Sequence, residues 1–129
     1  MTVADVAGDA PRIDASATVQ AFADRLVADR RTELPVERDG EVVGVVTMAA
    51  LERVRPVERD AYLVEEVMQT DLPRIESDAD AFEALAELND GDSEAAFVTR
   101  DGDVVGVVTG ADYANVIRTR EALGDAVPV

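Results

Sequence analysis

The sequence predicts an α/β fold in which one β-α-β-β-α unit is made twice. Three observations carry this. First, Arg38-Asp-Gly-Glu-Val-Val-Gly-Val-Val-Thr47 returns 62 residues later as Arg100-Asp-Gly-Asp-Val-Val-Gly-Val-Val-Thr109. The match runs without a gap from Pro11–Val54 to Pro73–Val116, with 17 of 44 positions identical. Second, each copy changes its apolar pattern from helical spacing to short β-type runs. Third, each copy places Asp-Gly between two such runs, the signal of a tight hairpin. A chain written twice in this way folds as two similar halves. At about 60 residues each, the halves would bury marginal cores alone.

In the first copy, Pro11 to Asp14 is a short extended segment, and Ala15-Ser-Ala-Thr18 supplies cap-type residues. Val19, Phe22, Ala23, Leu26 and Val27 then recur at helical spacing to about Asp29. Leu34-Pro-Val36 reads as a strand, Asp39-Gly40 as its turn, and Val42 to Val46 as a strand apolar on both faces. Met48 to Val54 reads as a helix. The second copy repeats this order. Arg74-Ile75 is extended, and Ala81 to Leu88 is helical with Phe82, Leu85 and Leu88 inward. Ala95 to Val98 and Val104 to Val108 are strands, and Gly110 to Leu123 is a helix. Arg55 to Asp60 is a polar linker. Tyr62 to Met68 is a short amphipathic helix leading into the second copy, and Thr2 to Val6 plays the same part before the first. The domains are placed at 1–60, with the linker, and 61–129.

Composition bounds the function. Acidic residues number 28 against 12 basic ones, a net charge of −16, and every basic residue is Arg. Such a surface repels nucleic-acid phosphates and anionic membranes, so neither is expected as a partner. An acidic, Lys-free surface resembles the proteins of salt-loving archaea, in which a Debye length of about 3 Å at molar salt screens self-repulsion. Cys and His are both absent. That removes disulfides, the usual zinc ligands and the commonest acid–base and nucleophilic groups, so an enzyme is not expected. No apolar run reaches the ~18 residues of a membrane span and no signal peptide is visible. A cytoplasmic location is expected, with the soluble part of a membrane protein left open.

Several marks together resemble the CBS domain, which occurs in tandem pairs. They are Val67-Met68 before a Pro-led strand, the strand Leu34-Pro-Val36, and above all Gly106-Val-Val-Thr-Gly-Ala-Asp112. The resemblance spans about Val3 to Arg120. It implies two halves related by a pseudo-two-fold axis, pairs that dimerise further, and an adenosine-containing ligand (AMP, ADP, ATP or S-adenosylmethionine) in the inter-domain cleft. It also implies regulation of an attached or partner enzyme, channel or transporter. The segment Val57 to Met68 is more narrowly similar to the CBS region of some archaeal site-2-type intramembrane metalloproteases.

A Thr ending a strand just before a helix offers a hydroxyl and exposed N–H groups to an anion. A carboxylate three residues on can accept hydrogen bonds from a ribose diol. Family precedent gives those roles to Thr109 and Asp112, and Gly110 leaves room for close approach. In the first copy Thr47 is a further candidate, but Ala50 replaces the acid, so that site is either empty or binds a ligand without the ribose contact, and Ala50→Asp could restore it. The resemblance draws an adenine slot from Ile75, Glu76, Ala96 and Phe97, with Phe97 read chiefly as core. Candidate phosphate partners are Arg12, Arg74, Arg53, Arg55, Arg118 and Arg120. Thr109 and Asp112 equally form a capping pair for their helix, which leaves open a structural, dimerising pair that binds no nucleotide. Asp78-Ala-Asp80 and Asp90-Gly-Asp92 lack the spaced ligands of a calcium loop and read as solvated acidic loops.

Overall fold

The computed structural model describes residues 1–7, 11–91 and 95–124. Each copy forms a three-stranded sheet. Strands β1 (Ile13–Asp14), β2 (Glu33–Arg38) and β3 (Glu41–Thr47) make the first; β4 (Arg74–Glu76), β5 (Ala95–Arg100) and β6 (Asp103–Thr109) make the second. The first pair in each sheet is parallel, with Ile13 opposite Val36 and Ile75 opposite Val98. A parallel pair needs a crossover, and α2 (Val19–Asp29) and α5 (Ala81–Asp90) supply it. The second pair is an antiparallel hairpin. Its turns place Asp39 and Gly40 at φ 53° and 82°, and Asp101 and Gly102 at 52° and 85°. Two successive left-handed residues match the twist of the flanking strands, which is why Asp-Gly stands at both turns.

The caps follow from residue chemistry. The Thr18 side chain accepts from the Ala21 N–H at 3.0 Å, and Asp80 from the Glu83 N–H at 3.0 Å. Helices α3 (Met48–Glu52) and α6 (Gly110–Ala122) leave β3 and β6 directly. The linker holds a single 3-10 turn over Pro56–Glu58.

Two compact units result: Met1–Asp9 with Leu72–Val129, and Ala10–Asp71. The division by contacts thus differs from the division of the sequence at two short helices. Helix α1 (Val3–Ala7) precedes the first copy in sequence but packs with the second. Helix α4 (Val64–Val67) packs with the first. The same bonds seat both. Val3 N–H donates to Ala79 O at 2.9 Å and Val64 N–H to Ala17 O at 2.8 Å; Ala4 N–H donates to Ser77 O and Glu65 N–H to Ala15 O. Each arm also buries one Val completely, Val3 among Leu85, Ala96, Val98 and Val108, and Val64 among Phe22, Leu34, Val36 and Val46. Full burial of a Val contributes roughly 1.5–3 kcal/mol, which outweighs the weak helical preference of so short a segment. After α4 the chain runs along β3, with Gln69 and Val45 exchanging backbone bonds of 2.7 and 3.0 Å. Gly44 permits this, since a Cβ there would stand 2.8 Å from Gln69 O.

Candidate functional site

The strongest expectation concerns the start of α6. Thr109 is its extended N-cap residue, and the Asp112 carboxylate reaches back to it. Asp112 Oδ2 accepts the Thr109 N–H at 2.8 Å and the Thr109 Oγ1–H at 3.3 Å. Both residues and Gly110 are partly exposed, and a Cβ at Gly110 would meet nothing within 4 Å. A carboxylate and open backbone thus coincide at one helix start, and the carboxylate holds its own cap.

The first copy is built the other way. Thr47 is 8% exposed, and its Oγ1 accepts from the Ala50 N–H at 3.4 Å. Ala50 is 1% exposed and belongs to the core with Phe22, Leu34 and Val64. The expectation that Ala50→Asp restores a site is corrected by this burial, because a carboxylate there would point into hydrocarbon.

The adenine slot divides. Ala96 is fully buried in the core with Val3, Leu85 and Val98, so it has no surface for a base. Phe97 is 5% exposed, with the Arg74 guanidinium carbon 6.0 Å from its ring centre. Glu76 is exposed and accepts from Thr99 Oγ1 at 3.3 Å. Ile75 is only partly buried and lines a cleft of about 500 Å³ with Pro73, Arg74, Ala84, Glu87 and Leu88. The walls of that cleft include neither Thr109 nor Asp112.

The repeat alignment explains the cleft. Its residue Ala84 corresponds to Phe22, which is fully buried, and Glu87 corresponds to Arg25. In the first copy Arg25 is held by Asp29 at 3.0 Å and donates to Arg12 O at 3.3 Å, and Ile13 is 4% exposed. The second copy has neither the ring nor the guanidinium, and Gly91 stands in the place of Asp29. This hollow was legible as three aligned substitutions, although the expected site residues took only Arg74 and Ile75 from it.

The other arginines are dispersed. Arg12 lies 3.4 Å from both Glu37 and Gly40 O, Arg55 pairs with Glu58, and Arg118 bonds Asn115. Arg120 lies 4.8 Å over the Phe82 ring, and Arg53 closes α3. Arg74 is the one of these candidates on the cleft wall. In the acidic runs, Asp80 caps α5, and Asp92 lies outside the described residues. Among the described residues no group of three acidic, His or Cys side chains could hold a metal ion, and no helix is long and apolar enough to cross a membrane.

Two sheets with this topology, each ending in a Thr-capped helix, agree with the family model of the CBS domain, which matches residues 3–55 and 64–119. The chain belongs to the CBS domain family. Solved structures agree in fold. The protein AcuB of Vibrio cholerae is 18% identical with a TM-score of 0.79, over 99% of this chain and 98% of that one. The CBS domain pair of protein MJ0100, in complex with 5′-methylthioadenosine and S-adenosyl-L-methionine, is 20% identical with a TM-score of 0.69, over 93% and 98%. The CBS domain of a bacterial CNNM/CorC family Mg2+ transporter, in complex with ATP, is 20% identical with a TM-score of 0.72, over 98% and 89%. No curated protein sequence matches the chain.

Proposed function

We propose that this CBS pair is a regulatory module that takes an adenosine-containing ligand (AMP, ADP, ATP or S-adenosylmethionine) on its C-terminal repeat and so controls an attached or partner protein. The observation that carries the reading is the contrast between the two helix starts. Position 112 carries a partly exposed carboxylate beside Thr109 and the unobstructed Gly110, whereas position 50 is sealed core. Complexes of the similar MJ0100 and transporter CBS domains with S-adenosylmethionine and ATP support the ligand class. In the sheet, Thr109 stands opposite Ala95, and β5 separates β6 from β4. Two strand spacings, roughly 10 Å, separate Thr109 from β4, and Ile75, level with Val98, is displaced by three further residues, roughly 10 Å more, along the strands, so that only an extended ligand touches both. The base would lie against Ile75 rather than Ala96, and the ribose would meet Asp112.

Calorimetry with AMP, ATP and S-adenosylmethionine tests this. Asp112→Asn keeps a cap acceptor but removes the charge. Loss of a charged hydrogen bond lowers affinity roughly ten- to hundred-fold, and unchanged affinity would overturn the assignment. The second reading, a dimerising pair without nucleotide, draws on the cap itself, since Asp112 Oδ2 is already bonded to Thr109. Absence of heat with all three ligands, together with a dimer by analytical ultracentrifugation, would favour it. We further propose that the chain is adapted to high salt. With a net charge of −16, the melting temperature should rise steeply from low to molar KCl as repulsion is screened; a flat or falling curve would remove it.

A further inference from the structure

The two arm helices are seated alike but differ at one position. On α4, the Glu65 carboxylate meets Arg38 at 2.8 Å at the end of β2. The matching residues in the other unit are Ala4 on α1 and Arg100 at the end of β5: Glu65 and Ala4 donate their N–H groups to aligned carbonyls, and Arg38 and Arg100 are aligned in the repeat. Ala4 brings no carboxylate. Among the described residues the Arg100 side chain has no hydrogen bond or ion pair, and a cleft of about 300 Å³ opens where Glu65 lies in the first unit. Its walls include Thr2, Ala4, Glu76, Asp78, Arg100 and Asp101.

We infer that this cleft binds a small zwitterion of amino-acid size, its carboxylate on Arg100 in the manner of Glu65 and its ammonium group toward Glu76, Asp78 and Asp101. Electrostatics selects the class. A simple anion meets three wall carboxylates on a chain of net charge −16, and a simple cation leaves Arg100 without the carboxylate that Glu65 gives Arg38. Only a ligand carrying both charges satisfies both sets of walls. A guanidinium binds a carboxylate strongly through its N–H donors, and the contact of Arg38 Nη2 with Glu65 Oε2 at 2.8 Å shows that this fold presents the aligned Arg to a carboxylate.

The test is amide NMR on the intact chain titrated with L-alanine, with acetate and ethylamine as single-charge probes. Saturable shifts at Ala4, Ser77 and Asp101 are expected for L-alanine, with roughly tenfold or weaker binding of either single-charge probe. Ala4→Glu should place a carboxylate on Arg100 and abolish the L-alanine shifts while leaving amides of the other unit unmoved. Arg100→Gln should weaken binding by about tenfold or more. No saturable shift with L-alanine, acetate binding as well as L-alanine, or undiminished binding in Ala4→Glu would each overturn the proposal.

Discussion

Positions 50 and 112 follow the same strand by the same interval, and the chain uses them in opposite ways. Ala50 is a core residue beneath Phe22 and Leu34, whereas Asp112 stands at a partly exposed helix start and ties down Thr109. The crossover helices diverge in the same sense. Phe22 and Arg25 close the first repeat over Ile13, while Ala84 and Glu87 leave Ile75 beside a cleft of about 500 Å³. One repeat has spent its variable positions on packing, and the other has left polar groups and space at the same places. Duplication permits both: each copy keeps its own apolar core, and the two differ in whether these positions are closed or open.

The largest break in this comparison should come from exchanging the aromatic residue. Phe22→Ala removes a fully buried ring from the closed repeat and should cost roughly 3–5 kcal/mol. Ala84→Phe adds the ring where space exists and should cost less than about 1 kcal/mol. Urea denaturation measures both, and equal losses would mean that the cleft cannot receive a side chain.

Ala50→Asp comes next. Burying a carboxylate without a partner should cost about 3 kcal/mol at neutral pH. Burial raises the folded-state pKa above the unfolded value of about 3.9. The variant's deficit should therefore be smallest below that value and grow as pH rises through the interval between the two. Denaturation at several pH values shows the sign, and a deficit independent of pH would indicate that the side chain escapes to solvent.

Much of the fold was legible because repetition removes ambiguity. The apolar run Val104 to Val108 alone cannot tell a strand from a buried helix, but two copies with Asp-Gly at the same offset can. Thr109 and Asp112 were legible as a pair because a capping spacing is local. The burial of Ala96 was not, since both faces of β5 are covered and alternation gives no sign of it. Nor was the seating of α1, because Val3 finds its partners some 80 residues away in Ala79 and Leu85. Linear order places Thr2 to Val6 with the copy that follows, and only tertiary contacts reassign it.

The smallest effects sharpen the same comparison at the surface. Asp112→Asn should cost roughly 0.5–1 kcal/mol by weakening the α6 cap, well below the cost of Ala50→Asp, and thermal melts of the two variants give that order directly. Asp5 and Asp14, which hold local turns, titrate low. The Thr2 N–H, and then the Thr2 hydroxyl, hold Asp5 below the ordinary carboxylate range. Asp14 is lowered by the Ser16 hydroxyl first, then the Ser16 N–H, with a lesser contribution from the Arg38 charge. A depressed folded-state pKa contributes stability above the unfolded value that is lost as pH falls through the folded one. The turn at Asp14 and the start of α1 should therefore loosen only in acid, below the pH at which free aspartate titrates. Carboxyl NMR titration reads both midpoints, and hydrogen exchange of the Thr2 amide reports the α1 cap. An ordinary midpoint for Asp5 would mean that Thr2 does not hold it in solution, and α1 would then rest on Val3 and its backbone bonds to Ser77 and Ala79.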